Sequence, residues 1–167
     1  MASAQRSLRL ALPVLLLALG FAFATGQTPA GVALSAGYAE HSYGSARFSF
    51  AGLRLGLQAP LVGALKFGLR VYQMEPRHAE VDRGIAGDAG LVLGVGSRRG
   101  DLALLFGFSQ VGIQEDDAAG GLGAHIGLQA RVWFGPVGLF GEVIDRELFF
   151  GTRGHVANLG IGAALRL

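Results

Sequence analysis

Alternation is the dominant pattern of this chain. From Leu122 to Phe134 the even positions are Leu122, Ala124, Ile126, Leu128, Ala130, Val132 and Phe134, all apolar. The odd positions, Gly123, His125, Gly127, Gln129, Arg131 and Trp133, are mostly small or polar. A strand sends successive side chains to opposite faces, so this stretch has one unbroken apolar face and one polar, glycine-rich face. At about 3.3 Å per residue it is long enough to cross a bilayer as a tilted strand.

The rest of the chain repeats the pattern. A first strand over about 31–40 sets Val32, Leu34, Ala36 and Tyr38 against Ala33, Ser35, Gly37 and Ala39. A second, running to about Gln58, sets Leu53, Leu55 and Leu57 against Arg54, Gly56 and Gln58. Its start is ambiguous, because Phe48 and Phe50 fall in the polar phase: either a bulge shifts the phase or these rings fill the mouth of a barrel. A turn over 59–63 leads to Leu65, Phe67, Leu69 and Val71 against Lys66, Gly68, Arg70 and Tyr72. A polar loop over 73–87 precedes a fourth strand, with Ala89, Leu91, Leu93 and Val95 against Asp88, Gly90, Val92 and Gly94.

Residues 97–101 form a tight turn into a fifth strand, with Leu102, Leu104, Phe106 and Phe108 on the apolar face and Leu105 an exception on the other. A loop over 114–121 leads to the sixth strand, described first, and Gly135-Pro136 turns the chain into a seventh with Val137, Leu139, Gly141 and Val143 against Gly138, Phe140, Glu142 and Ile144. A loop over 145–154 precedes the eighth, with Ala157, Leu159, Ile161, Ala163, Leu165 and Leu167 on its apolar face.

Within these strand cores no charge falls on the apolar face, and the opposite face mixes Gly, Ala, Ser, Gln, Arg and Glu. A soluble barrel would place its charges outside. An eight-stranded barrel has room inside only for side chains, which suits small residues beside a few long polar ones. The clean apolar face then points outward, toward lipid. The expectation is an all-β chain: an eight-stranded antiparallel up-and-down transmembrane β-barrel over 31–167.

Composition sharpens this reading at the ends. Arg6 and Arg9 precede an apolar run from Leu10 to Ala24 that closes on Ala22-Phe23-Ala24, the layout of a cleaved secretory signal over 1–24, with 25–30 a short lead. Cysteine is absent, so disulfides and thiolate metal sites are excluded. Only 16% of residues are charged, mean hydropathy is +0.44, and the net charge of +2 is too small to argue for nucleic acid.

Candidate chemistry is sparse. His41 and His155 lie near one rim, yet no local spacing supplies the three or four ligands that zinc requires, so both read as solvated loop histidines and no metal or cofactor is expected. Glu115-Asp116-Asp117 reads as a solvated loop, and Arg98-Arg99 as a turn facing water and headgroups. Ser109, His125 and Glu142 share the inward face and could be arranged as a hydrolase triad, but such residues also fill lumens. The most informative set is the inward charges: Arg54, Lys66, Arg70, Arg131 and Arg166 against Asp88 and Glu142, an excess of three positive charges. We expect Arg54, Lys66, Arg70, Asp88, Arg131 and Glu142 to form an interior network. Glu142 would be its central counter-ion, and the turn over 59–63 would place Arg54 diagonal to both Lys66 and Arg70.

The signal segment, eight alternating strands, short turns on one side and longer loops on the other resemble the small outer-membrane β-barrel proteins of double-membraned bacteria, of the OmpA transmembrane-domain and OmpX type. The resemblance covers about residues 31–167 and is architectural. It implies that the termini and short turns face the periplasm and that the partners are outer-membrane lipid and the outer-membrane insertion machinery. The last residue is usually aromatic in such barrels and here is Leu167. No peptidoglycan-binding domain is expected. The expected function is non-enzymatic: a monomeric integral outer-membrane barrel with a plugged polar interior and a structural or surface-interaction role. A lipid-modifying outer-membrane enzyme and a soluble periplasmic ligand-binding barrel are the alternatives.

Overall fold

The computed structural model describes residues 31–43, 48–77, 83–113, 119–151 and 154–167. The expected signal segment and lead, and the acidic run from Glu115 to Asp117, lie outside the described residues. Eight strands follow in chain order: β1 (Ala33–Tyr43), β2 (Phe48–Val62), β3 (Leu65–Pro76), β4 (Gly84–Gly96), β5 (Gly100–Ile113), β6 (Ala119–Phe134), β7 (Val137–Gly151) and β8 (Gly154–Arg166). Each pairs antiparallel with its neighbour in sequence, and β8 pairs back onto β1, so the sheet closes and leaves no edge.

Side-chain alternation sets which face is inside. Leu55, Phe108, Ile126, Val143, Leu159 and Ile161 are exposed on the outer surface, whereas Arg54, Arg70, Gln129 and Glu142 are buried in the lumen. That inverts the usual water-soluble arrangement. Phe50 settles the phase question at the start of β2. It is buried, in phase with Arg54 and Gln58, and the register with β1 is continuous from Phe48 to Gln58, so the ring fills the lumen without a bulge.

Two hairpins turn on two residues each. Gly63 and Gly135 have φ of 55° and 64°, the left-handed backbone that tight hairpin turns require and that glycine adopts without a Cβ clash. Glycine has a second use where β8 meets β1 and, diametrically opposite, where β4 meets β5. A Cβ on Gly37 would lie 2.1 Å from the Ile161 carbonyl oxygen, and one on Gly90 would lie 2.2 Å from that of Phe106. Similar approaches occur at Gly52 and Gly123, where a Cβ would lie 2.0 Å from the Gln73 and Glu147 carbonyl oxygens, so neighbouring strands come close where no side chain intervenes.

The strands are longer than the alternation suggested. They run 11 to 16 residues, more than the roughly 9–11 that cross a bilayer. The expected loops at 73–87 and 145–154 shrink accordingly: β3 continues to Pro76, β4 begins at Gly84 and β7 continues to Gly151. The expected turn at 59–63 also contracts, to Gly63 and Ala64, with β2 continuing through Pro60 to Val62 and shifting register between them. Apolar alternation marks only the middle of each strand. Beyond it the ladder continues with outward charges, such as Glu40, Asp145 and Glu147, on the long-loop side.

Inside, an apolar cluster that includes Phe50, Met74, Val111, Leu148 and Val156 fills the long-loop end. A smaller one, Ala33, Trp133, Phe140 and Ala164, lies at the short-turn end. The larger cluster continues along β4 and β5 through Val92, Leu105 and Ala103, and the polar lumen residues lie beside it.

Candidate functional site

Glu142 on β7 is the hub of the interior. Arg54, across the lumen on β2, donates to it in parallel, from Nε to Oε1 at 2.9 Å and from Nη2 to Oε2 at 2.8 Å. This fork geometry is the strongest form of carboxylate recognition. The Tyr72 hydroxyl donates to Oε1 at 3.2 Å and Gln129 Nε2 to Oε2 at 2.9 Å. Arg54 is held further by the Ser35 hydroxyl, to which its Nη1 donates, and lies 4.3 Å over the Phe140 ring. Gln129 and Glu142 stand directly opposite each other in the β6–β7 register, as the Gly135-Pro136 turn requires.

Asp88 is a second hub, nearer the long loops. Arg146 donates to it from Nε at 2.8 Å and from Nη2 at 2.7 Å, and the Ser109 hydroxyl donates at 2.6 Å. Arg70 stands between the hubs, with its guanidinium 3.9 Å from Glu142 and 4.0 Å from Asp88. Those separations give ion pairing without direct hydrogen bonds, and Nε and Nη1 of Arg70 have no hydrogen-bond partner among the described residues.

Asp101 is a third hub, near the short turns. It accepts from Arg131 Nε and from the Trp133 indole nitrogen, both at 2.7 Å. Arg131 Nη1 donates to Gln58 at 2.7 Å, Gln58 to Gln129 at 2.8 Å, and Gln129 to Glu142. A continuous polar chain therefore links the Asp101 hub to Glu142, and Arg70 extends it to Asp88.

The structure brings Arg54, Arg70, Asp88 and Glu142 together and connects Arg131 to them through the two glutamines. It corrects the placement of Lys66. Arg54 faces Tyr72 and lies diagonal to Arg70, but Lys66 faces Pro60, well toward the short turns. The two-residue hairpin at Gly63 and the shift after Pro60 move the register away from the one a longer turn would give. Lys66 therefore neighbours Arg131 and Asp101 rather than Glu142.

Two members lie in segments expected to be connections. Arg146, fully buried, falls in the expected loop over 145–154, and Asp101 in the expected turn over 97–101. Phase was the available signal: Arg146 continues the even series of Glu142 and Ile144, and Asp101 the odd series of Ala103 and Leu105. Adding one cation and one anion leaves the excess at three, with six inward cations against three carboxylates among the described residues.

His41 also departs from expectation. It is buried inside β1, edge-on to Tyr72 at 5.1 Å and beside Asn158, and is not a solvated loop histidine. His155 is exposed at the start of β8. Among the described residues no group of three metal-ligating side chains converges.

The Ser109, His125 and Glu142 arrangement does not assemble as a relay. Ser109 Oγ is 3.0 Å from His125 Nδ1, but its proton is directed to Asp88, and Glu142 is engaged by Arg54. A relay needs the imidazole between acid and hydroxyl. Here the hydroxyl lies between the carboxylate and the imidazole, and it is buried inside the lumen.

No protein family and no curated protein sequence matches the chain. Solved structures do. The attachment invasion locus protein Ail of Yersinia pestis aligns over 83% of this chain and 100% of its own, with 13% identity and a TM-score of 0.61. The N-terminal β-barrel domain of Pseudomonas aeruginosa OprF gives the same coverage and identity, with a TM-score of 0.58. The outer-membrane enzyme PagL aligns over 80% of this chain and 99% of its own, with 10% identity and a TM-score of 0.52. At such identities the likeness concerns architecture, and an attachment invasion locus protein and an enzyme share it. With its closed eight-strand antiparallel sheet, apolar outside and charged inside, this chain has the fold of the small outer-membrane β-barrels.

Proposed function

We propose that the chain is a non-enzymatic integral outer-membrane protein, a monomeric barrel with a sealed polar interior and a structural or surface-interaction role. One observation carries this reading: the inside-out distribution of polarity. Among the described residues twenty-five large apolar side chains are exposed, Ile161 at 62% and Phe108 at 67% among them, while the lumen holds Arg54, Arg70, Arg146, Asp88 and Glu142. Water does not tolerate a continuous apolar belt of that extent, and hydrocarbon does. The fold it shares with outer-membrane barrels supports the same location. In that setting the short turns face the periplasm, the longer loops face outward, and the insertion machinery and outer-membrane lipid are its partners.

Absence of catalysis is supported by the geometry around Ser109, whose hydroxyl is buried and committed to Asp88. Lipid A presented to the refolded chain should be recovered with unchanged mass. Loss or gain of an acyl chain would establish an enzyme instead.

Charge placement tests the location. Leu128 lies mid-strand on the outer face, opposite Leu104 and Val143. In bilayers Leu128→Arg should lower stability by about 2–4 kcal/mol, the cost of a cation at the membrane midplane. Urea titration in lipid vesicles measures this, and an unchanged midpoint would remove the lipid-facing assignment of β6.

A further inference from the structure

The surplus positive charge of the lumen is unevenly spread. Arg54, Arg70 and Arg146 face Glu142 and Asp88, which leaves one cation in excess. At the short-turn end, among the described side chains, Lys66, Arg131 and Arg166 face one carboxylate, Asp101, which leaves two. Asp101 is already committed to Arg131 and the Trp133 indole. Lys66 is only 5% exposed, and its ammonium has no hydrogen bond or ion pair among the described residues. Arg166 stacks 4.1 Å over Trp133, and its Nη2 is buried without a partner.

Arg166 Nη2 is enclosed without an acceptor, and the Lys66 ammonium is crowded by the cations of Arg131 and Arg166; both are unfavourable as they stand. Among the described side chains, Asp101 is the carboxylate that faces these three cations. An added anion would supply the missing negative charge and acceptor oxygens.

We propose that Lys66, Arg131 and Arg166 form a binding site for a phosphate group at the short-turn end of the lumen, with Asp101 and Trp133 holding the two guanidinium groups in place. The chemistry matches in three respects. The local excess of two positive charges equals the charge a phosphate monoester or inorganic phosphate approaches at neutral pH, about −1.5 to −2. A guanidinium and an ammonium together are the usual donors to tetrahedral oxyanions. Arg131 and Arg166 both lie over the Trp133 ring, at 5.5 and 4.1 Å, so their planes are fixed before the ligand arrives. The exposed turn residues Arg98 and Arg99, whose hairpin is tied to β6 by the bond from Trp133 N to the Arg99 carbonyl, add positive potential at the same end. The phosphate could come from free solute or from a lipid headgroup.

The test is 31P NMR of the refolded chain in phosphate-free maltoside micelles. Inorganic phosphate and short-chain phosphatidylglycerol are titrated separately at constant ionic strength. Saturable binding of inorganic phosphate identifies a solute site; saturable binding of phosphatidylglycerol alone identifies a headgroup site. In either case Lys66→Met should weaken binding by about tenfold or more, the equivalent of 1.4 kcal/mol, and Lys66→Arg should preserve it. Arg166→Gln, at the rim, should weaken binding likewise and provides the same comparison if Lys66→Met fails to fold. Saturable binding of neither ligand by the native chain, or binding undiminished in the neutral variants, overturns the proposal.

Discussion

Asp88→Asn should destabilise the refolded barrel by about 3–5 kcal/mol, less if water penetrates the lumen. Asp88 accepts two parallel hydrogen bonds from Arg146 and one from Ser109, and it is one of two carboxylates that neutralise Arg70. Neutralising Asp88 leaves Arg146, fully buried, without an anion in contact. Its nearest compensation is the Tyr72 ring, 4.8 Å away, and a cation over an aromatic face replaces only part of a bidentate ion pair. The side-chain amide also brings two donor hydrogens to a site already crowded with donors from Arg146 and Ser109. Removing the stranded cation in Asp88→Asn/Arg146→Met should recover most of the loss, because deleting both partners removes the uncompensated charge. Urea unfolding in one lipid measures all three chains. A double variant no more stable than Asp88→Asn would mean that Arg146 is not the group that Asp88 neutralises.

Glu142→Gln should have an effect of the same size, about 3–5 kcal/mol. It strands Arg54, whose bidentate partner is lost, and leaves Arg70 only the 4.0 Å contact with Asp88. It also disturbs the Tyr72 hydroxyl and the Gln129 amide, so the damage extends along the chain of hydrogen bonds toward Gln58 and Arg131. Glu147→Gln is the control. Glu147 is on the same strand but faces outward, exposed, opposite His155, and its neutralisation should change stability by less than about 0.5 kcal/mol. Equal midpoints for Glu142→Gln and Glu147→Gln would show that the interior carboxylate neutralises nothing.

How these residues meet was partly legible in the sequence, and the boundary has a physical cause. Side-chain period two is local, so alternation alone assigned Arg54, Arg70, Asp88, Arg131 and Glu142 to the inward face. The Gly135-Pro136 turn is equally local, and it set Glu142 opposite Gln129. The β2–β3 register was not legible, because Ala59-Pro60-Leu61-Val62 reads as a turn although the ladder continues through it; Lys66 was consequently placed beside Arg54. Arg146 escaped for a related reason. Its neighbours Asp145, Glu147 and the following residues look like loop, since an outward charge interrupts the apolar face. Yet strand pairing is a backbone property, and once the strand passes the apolar belt an outward carboxylate is no obstacle. His41 was lost in the same way, past the point where apolar residues alternate but still within β1. The partners across the lumen depend on barrel closure and shear, which no local pattern encodes.

In the proposed outer-membrane setting the apolar face of the sheet meets lipid while its polar face is enclosed. Quenching of tryptophan by lipids brominated on their acyl chains tests it most directly. The native chain has one tryptophan, Trp133, which is inward-facing, 4% exposed and bonded to Asp101. A Trp133→Phe/Ile126→Trp chain carries its indole instead on the outer face, at a position 59% exposed in the native barrel. Brominated vesicles should quench the fluorescence of the Ile126→Trp chain strongly and leave that of the native chain largely unchanged. Strong quenching of Trp133 together with an unaffected indole at position 126 would contradict the account.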